Sequence, residues 1–156
     1  MRLRHIASSI LALLAIATFT QCTTQKHWVG TWGTAGQLVE PHNNPPAPGL
    51  GGNTIRQIVQ VSIGGEEVRL QLTNEFSKEP TEIIAIELAH ATTSGSSSDI
   101  DEGTTVSLTF GGQSGITMQP GEIVTSDPVK FAMGDRQNVA ITIHYGKASS
   151  TSVSGH

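Results

Sequence analysis

The chain has 156 residues, with 9 Lys+Arg against 13 Asp+Glu and a formal net charge of −4. That length suits one ordinary domain and is too short for two enzyme-sized ones. An acidic balance with scattered Lys and Arg also lacks the concentrated basic patch that nucleic-acid binding depends on. Charged residues are 14% and aromatic residues 4% of the total. The rest is rich in Gly, Ser and Thr, with apolar residues in short runs, a composition that fits an exported β-protein.

Residues 1–22 read as an export signal. Arg2, Arg4 and His5 make a basic start, and an apolar stretch from Ile10 to Thr20 carries Leu11, Leu13, Leu14, Ile16 and Phe19. A stretch of about a dozen residues is too short for a bilayer-spanning helix and suits a signal helix. The single cysteine, Cys22, follows it directly and resembles the lipidated cysteine of a bacterial lipoprotein signal, although Gln21 departs from the usual small residue. The expectation is an exported protein held by lipid at the cell envelope, in the periplasm or at the outer membrane, or secreted if Cys22 is unmodified. Removing the signal leaves about 134 residues, one domain's worth. It also leaves 7 basic residues against 13 acidic, a net charge of −6. A lone cysteine allows no internal disulfide, so the core must supply the stability.

Residues 23–26 form a polar tether. In residues 27–35 the threonines, the glycines and the two tryptophans at a spacing of four favour a strand with Trp28 and Trp32 on one face, and core placement for both. Pro41, Pro45, Pro46 and Pro48 with Gly49, Gly51 and Gly52 break any regular element over residues 37–53, predicting a long loop. Alternation then marks a strand through Ile55, Val59 and Val61, a Gly64-Gly65 hairpin turn, and a strand through Val68, Leu70 and Leu72. Ile84, Ile86 and Leu88 share one parity in the next run. Residues 94–103 read as a Ser/Gly/Asp loop, and Val106, Leu108 and Phe110 as a strand closed by Gly111-Gly112. Shorter runs hold Ile116 with Met118, Ile123 with Val124, and Val129 to Met133. Val139, Ile141 and Ile143 form the last strand. Residues 147–156 have the Ser/Thr/Gly composition of a linker.

Eight or nine short strands at 8–12-residue spacing, with no convincing amphipathic helix after the signal, predict an all-β antiparallel sandwich of jelly-roll type over residues 27–146. The expected core is Ile55, Val59, Val61, Val68, Leu70, Leu72, Ile84, Ile86, Leu88, Val106, Leu108, Phe110, Val139, Ile141 and Ile143. Each such side chain gains roughly 1.5–3 kcal/mol on full burial.

Chemistry is sparse. Gly112-Gln113-Ser114-Gly115 has the wrong spacing for a nucleophile elbow and reads as a polar turn. The histidines are dispersed, and nothing in the spacing pairs them with a carboxylate. Asp99-Ile100-Asp101-Glu102-Gly103 is the one carboxylate cluster, read as an acidic surface turn because a calcium loop needs more ligands. There is no zinc spacing and no nucleotide motif, so no metal or cofactor is expected. Trp28 and Trp32, with His42 in the proline-rich loop, remain as candidates for holding a carbohydrate.

Several segments taken together resemble one family. They are His27-Trp28-Val29-Gly30-Thr31-Trp32-Gly33-Thr34-Ala35, Gln37-Leu38-Val39-Glu40-Pro41-His42-Asn43, Asn53-Thr54-Ile55-Arg56-Gln57-Ile58-Val59, Leu72-Thr73-Asn74-Glu75-Phe76-Ser77 and Ser126-Asp127-Pro128-Val129. Together they look like the N-terminal part of secreted SGNH (GDSL-type) esterases, over residues 27–156. The resemblance implies a β-sandwich ahead of a catalytic domain that hydrolyses acyl esters, on esterified carbohydrate in the full-length proteins. The family's Gly-Asp-Ser nucleophile block, its oxyanion blocks and its Asp-x-x-His block are not in this chain. Gly134-Asp135 is followed by Arg136, so no catalytic residue carries over. The expectation is an accessory sandwich that is inactive alone and partners a hydrolase domain. The alternative is a stand-alone carbohydrate-binding surface lipoprotein.

Overall fold

The computed structural model describes residues 26–92 and 98–155. The signal, Cys22, most of the tether and part of the loop over 94–103 lie outside these. In chain order the described residues form β1 (Gln37–Leu38), a single 3-10 turn (Pro41–Asn43), β2 (Thr54–Gln60), β3 (Gly65–Val68), β4 (Gln71–Thr73), β5 (Thr81–Ala91), β6 (Ile100–Ser107), β7 (Ile116–Met118), β8 (Ile123–Thr125), β9 (Val129–Met133), β10 (Asn138–Tyr145) and β11 (Ser154–Gly155). Every pairing is antiparallel, and the architecture is the all-β sandwich that the alternation predicts.

One layer is a five-stranded sheet in the order β2-β10-β5-β6, with β7 on the same edge of β5 as β6. The other is made of short ribbons, β3 with β9 and β4 with β8, and β1 pairs with β11. Period-2 alternation turns Val139, Ile141 and Ile143 of β10 inward beside Ile86 and Leu88 of β5. Phe131 of β9 packs into the same cluster, with Val68, Leu70, Leu72, Val124 and Val129 of the ribbon layer against it. Ile86, Leu108 and Met118 are the largest side chains wholly removed from water.

The expected core holds with three changes. Ile84 is 56% exposed while Ile83 is 4% exposed. His144 sits opposite Ala85 and Tyr145 opposite Ile83, so Ile84 is the extra residue of a bulge, which reverses the parity N-terminal to it. Ile55 is only half-buried because it faces a cleft between the layers. Met118 and Phe131, on runs too short to show a period, are core residues in their own right.

Gly64-Gly65 does not close a hairpin. β2 pairs with β10 and β3 with β9, so the chain changes layer at this point. By contrast Gly111-Gly112 does turn the chain. Their φ values are 58° and 81°, and Phe110 and Gln113 exchange two backbone hydrogen bonds of 2.8 and 3.2 Å, the pattern of a two-residue hairpin loop. Residues 147–155, linker-like in composition, pack back on the domain. Ser149 and Ser152 are buried, and Ser152 Oγ accepts from the Lys78 N–H at 2.9 Å while Ser154 Oγ accepts from the Phe76 N–H at 2.8 Å. The acidic run is not a free turn either. Ile100 to Gly103 belong to β6, and the Asp101 carboxylate accepts from the Gly103 N–H at 3.1 Å.

Asp127 ties the glycine turn to the sheet. Its Oδ2 accepts from the Gly112 N–H at 2.8 Å and from the Thr109 hydroxyl at 2.7 Å. The Gly112 N–H first, then the Thr109 hydroxyl, hold its carboxyl below the ordinary value of 3.8. A lowered folded-state value means that the stabilisation is complete above the unfolded value and is lost as pH falls through the folded one. In Asp127→Asn, the acid limb of stability against pH below about 4 is expected to be shallower than in the parent. Urea titrations at a series of pH values check this, and parallel limbs would refute it.

Candidate functional site

Between the layers lies an open cleft of about 1240 Å³. Its floor is apolar, with Ile55, Ile141, Ile143 and Tyr145 from the large sheet facing Val68, Leu70, Leu72 and Met133 from the ribbons. Ile55, on the edge strand β2, is only half-covered there, whereas Ile141 and Ile143 of the neighbouring β10 are buried. Desolvation there raises the Tyr145 phenol above its ordinary 10.0.

Residues 26–36 lie along this cleft and form no strand, contrary to the reading of 27–35. Thr31 anchors them. Its carbonyl accepts from the Ser62 N–H at 2.9 Å, and its hydroxyl bonds the Ile63 carbonyl at 2.5 Å. Lys26 Nζ pairs with Glu67 at 2.6 Å. The tryptophans are not core: Trp28 is 37% and Trp32 42% exposed, and both line the cleft. Among the described residues their segment pairs with no strand, so nothing there draws it into the core. The Arg69 guanidinium sits 3.9 Å from the Trp28 ring centre, a cation–π contact that fixes the ring and occupies one of its faces.

Around the mouth the chain leaves other large apolar side chains in water. Val29, Ile63 and Ile123 line the cleft with the tryptophans, Leu38 lies at an adjoining hollow, and Phe76 flanks Gly36. His42 is not part of this set. It stands exposed on the 3-10 turn, where its Nε2 is 3.1 Å from the Glu40 carboxylate. The structure thus brings two of the three candidate ligand-binding residues together and leaves the third apart. Cys22 lies outside the described residues.

On the opposite face of the large sheet the fold assembles a polar row that the sequence does not announce, because its members come from three strands. Thr54 Oγ1 is 2.9 Å from His144 Nδ1, and His144 Nε2 is 3.7 Å from Glu87 Oε2. Beside them Arg56 Nε donates to Thr142 Oγ1 at 2.8 Å, and its Nη1 donates to the Ser98 carbonyl at 2.8 Å. The 3.7 Å step is beyond hydrogen-bond range, so the carboxylate does not orient the imidazole as a catalytic triad requires. Among the described residues no three His, Cys, Asp or Glu side chains come together as metal ligands. No described helix is long and apolar enough to cross a membrane. No protein-family model matches the chain, and no curated protein matches it.

Proposed function

We propose that this chain is the accessory β-sandwich of an SGNH-type ester hydrolase, without catalytic groups of its own, exported and lipid-anchored through Cys22. Its role is to carry and position a hydrolase domain. One observation carries the reading: among the described residues, seven of the eight exposed large apolar side chains, all but Ile84, lie in or beside one cleft. Exposed apolar side chains scattered singly need no explanation, whereas a set gathered at one cleft favours a surface that a partner or ligand covers. The resemblance of residues 27–156 to the N-terminal region of those esterases supplies the identity of the cover.

The test uses the separately produced catalytic domain of an SGNH-type esterase whose own N-terminal region carries the Trp-Gly-Thr-Trp and Thr-Asn-Glu-Phe-Ser segments. Sedimentation velocity is expected to show a one-to-one complex with this chain. The chain alone is expected to hydrolyse p-nitrophenyl acetate no faster than buffer. Two independent boundaries at tens of micromolar, or turnover by the chain alone, would sink the reading.

The second reading, a carbohydrate-binding surface lipoprotein, is favoured by the two exposed indoles at the mouth of a roomy cleft. Titration with candidate polysaccharides would then shift Trp fluorescence and retard the chain in affinity gels. No change in either signal removes it.

A further inference from the structure

We infer that the free edge of β2 is the seam of a homodimer, in which β2 pairs antiparallel with β2 of a second copy of this chain. The inference is independent of the hydrolase reading above.

The large sheet ends in β6 on one side and β2 on the other. β6 is guarded: it carries the exposed Asp101 and Glu102, and its register with β5 slips between Leu88 and His90. Charges and irregularities of this kind keep an edge strand from pairing with other chains. β2 lacks such devices. Its seven residues pair with β10 without a break, and none is proline. Its one charge, Arg56, is turned back toward β10, where Nε donates to Thr142 Oγ1 at 2.8 Å.

The register decides which groups the edge offers. Val61 donates to the Gln137 carbonyl and Tyr145 to the Asn53 carbonyl, so the odd-numbered residues of β2 bond β10. The N–H and C=O groups of Thr54, Arg56, Ile58 and Gln60 therefore point the other way, and among the described residues no strand pairs with them there. The next group in that series, the Ser62 N–H, does take a backbone partner, the Thr31 carbonyl at 2.9 Å. The chain fills the last rung of this edge itself and brings no strand to the rungs before it.

The sequence of β2 is complementary to itself. A two-fold axis at Gln57 sets Thr54 opposite Gln60, Ile55 opposite Val59 and Arg56 opposite Ile58 of the other copy. In this register every outward N–H and C=O of both strands meets a partner. The half-buried Ile55 gains an apolar cross-strand neighbour, and no like charges stand directly opposite each other. An axis at Ile55 leaves Ile58 and Gln60 beyond the paired strand, and an axis at Val59 contests the Ser62 rung that Thr31 holds. Pairing of one surface with itself closes, and it covers both free edges at once. The axis is normal to the sheet, so both clefts open on the same face of the joined sheet.

Sedimentation velocity of the chain, from micromolar to hundreds of micromolar, is expected to show a monomer–dimer equilibrium. A reductant excludes a disulfide through Cys22. Gln60→Pro removes an outward N–H at an exposed position and none that bonds β10. It is expected to weaken dimerisation by about 10-fold, since two hydrogen bonds are lost per dimer, and to leave the melting temperature near that of the parent. In a Cys22→Ser background, Gln57→Cys is expected to give a disulfide-linked dimer on mild oxidation. Residues facing each other in a non-hydrogen-bonded antiparallel pair have Cα atoms about 4.5 Å apart, within disulfide reach. Gln60→Cys in the same background is expected to stay unlinked, because the two copies of that position lie roughly 20 Å apart. A parent that stays monomeric, a Gln60→Pro variant that dimerises as the parent does, or crosslinking at residue 57 no faster than at residue 60 would overturn the seam. If Gln60→Pro fails to fold, the crosslinking pair decides alone.

Discussion

Asn74→Ala is expected to destabilise the sandwich by about 3 kcal/mol, since each buried group left without a partner costs about 1–3 kcal/mol. For a domain of this size that is a fall in melting temperature of roughly 10 °C, measured by circular dichroism. Asn74 follows β4 and is only 4% exposed. Its Nδ2 donates to the carbonyls of Glu79, Met118 and Gln119 at 3.1–3.2 Å, and its Oδ1 accepts from the Thr81 hydroxyl at 3.0 Å. Its own backbone N–H bonds the Glu122 carbonyl, and its carbonyl accepts from Ser77 and Gly121. One side chain therefore joins the end of β4, the start of β5 and the turn between β7 and β8. Alanine leaves these carbonyls facing a small dry space. Asn74→Asp is the sharper variant, because at neutral pH a carboxylate would face three carbonyls with no hydrogen to give. Its loss is expected to exceed that of alanine at pH 7 and to shrink as the pH falls. A melting temperature within 3 °C of the parent for Asn74→Ala would show that water takes over these bonds.

Gly64→Ala is expected to cost a similar amount, about 3 kcal/mol or the loss of soluble protein, whereas Gly65→Ala costs no more than about 1 kcal/mol. A Cβ on Gly64 would stand 2.1 Å from the Met133 carbonyl oxygen and 2.8 Å from the Gly134 carbonyl carbon. Both are backbone atoms, one at the last residue of β9 and one just after it, so neither can rotate away as a side chain would. The Gly64 N–H also donates to the Asp135 carboxylate at 2.7 Å, which binds the layer crossing to the β9–β10 turn. A Cβ on Gly65 meets nothing nearer than 4.0 Å. Paired urea titrations of the two variants read the difference directly, and equal stabilities would refute the close-approach account.

These two glycines also show what the sequence hides. As text they are one turn signal. In the fold one is required by a contact with residues 133 and 134 and the other is not. Asn74 behaves the same way: Leu72-Thr73-Asn74-Glu75-Phe76 reads as a strand end, and nothing local says that its amide will meet carbonyls near residue 118. The candidate site was legible in part. Trp28 and Trp32 stood out as residue types, and they do share one cleft. Their exposure was not legible, because it depends on whether a further strand covers them. The Thr54–His144–Glu87 row was invisible for the same reason, since parity gives the face of a side chain but not the strand beside it.

What the residues alone determined is the class of the protein. Alternation with period 2, broken by glycine, proline and polar turns, is written into each strand separately, so an antiparallel sandwich with an Ile/Val/Leu core follows without any long-range knowledge. Only the tertiary structure decided which strands pair, that a bulge at Ile84 exchanges its burial with Ile83, and that serines 149 and 152 are buried rather than part of a loose tail. It also decided that Trp28, Val29, Trp32, Ile63 and Ile123 line a cleft while staying exposed. The physical reason is common to all of these. Strand formation depends on neighbours two residues apart, whereas pairing, close backbone approach and exposure depend on groups that the chain brings together from tens of residues away.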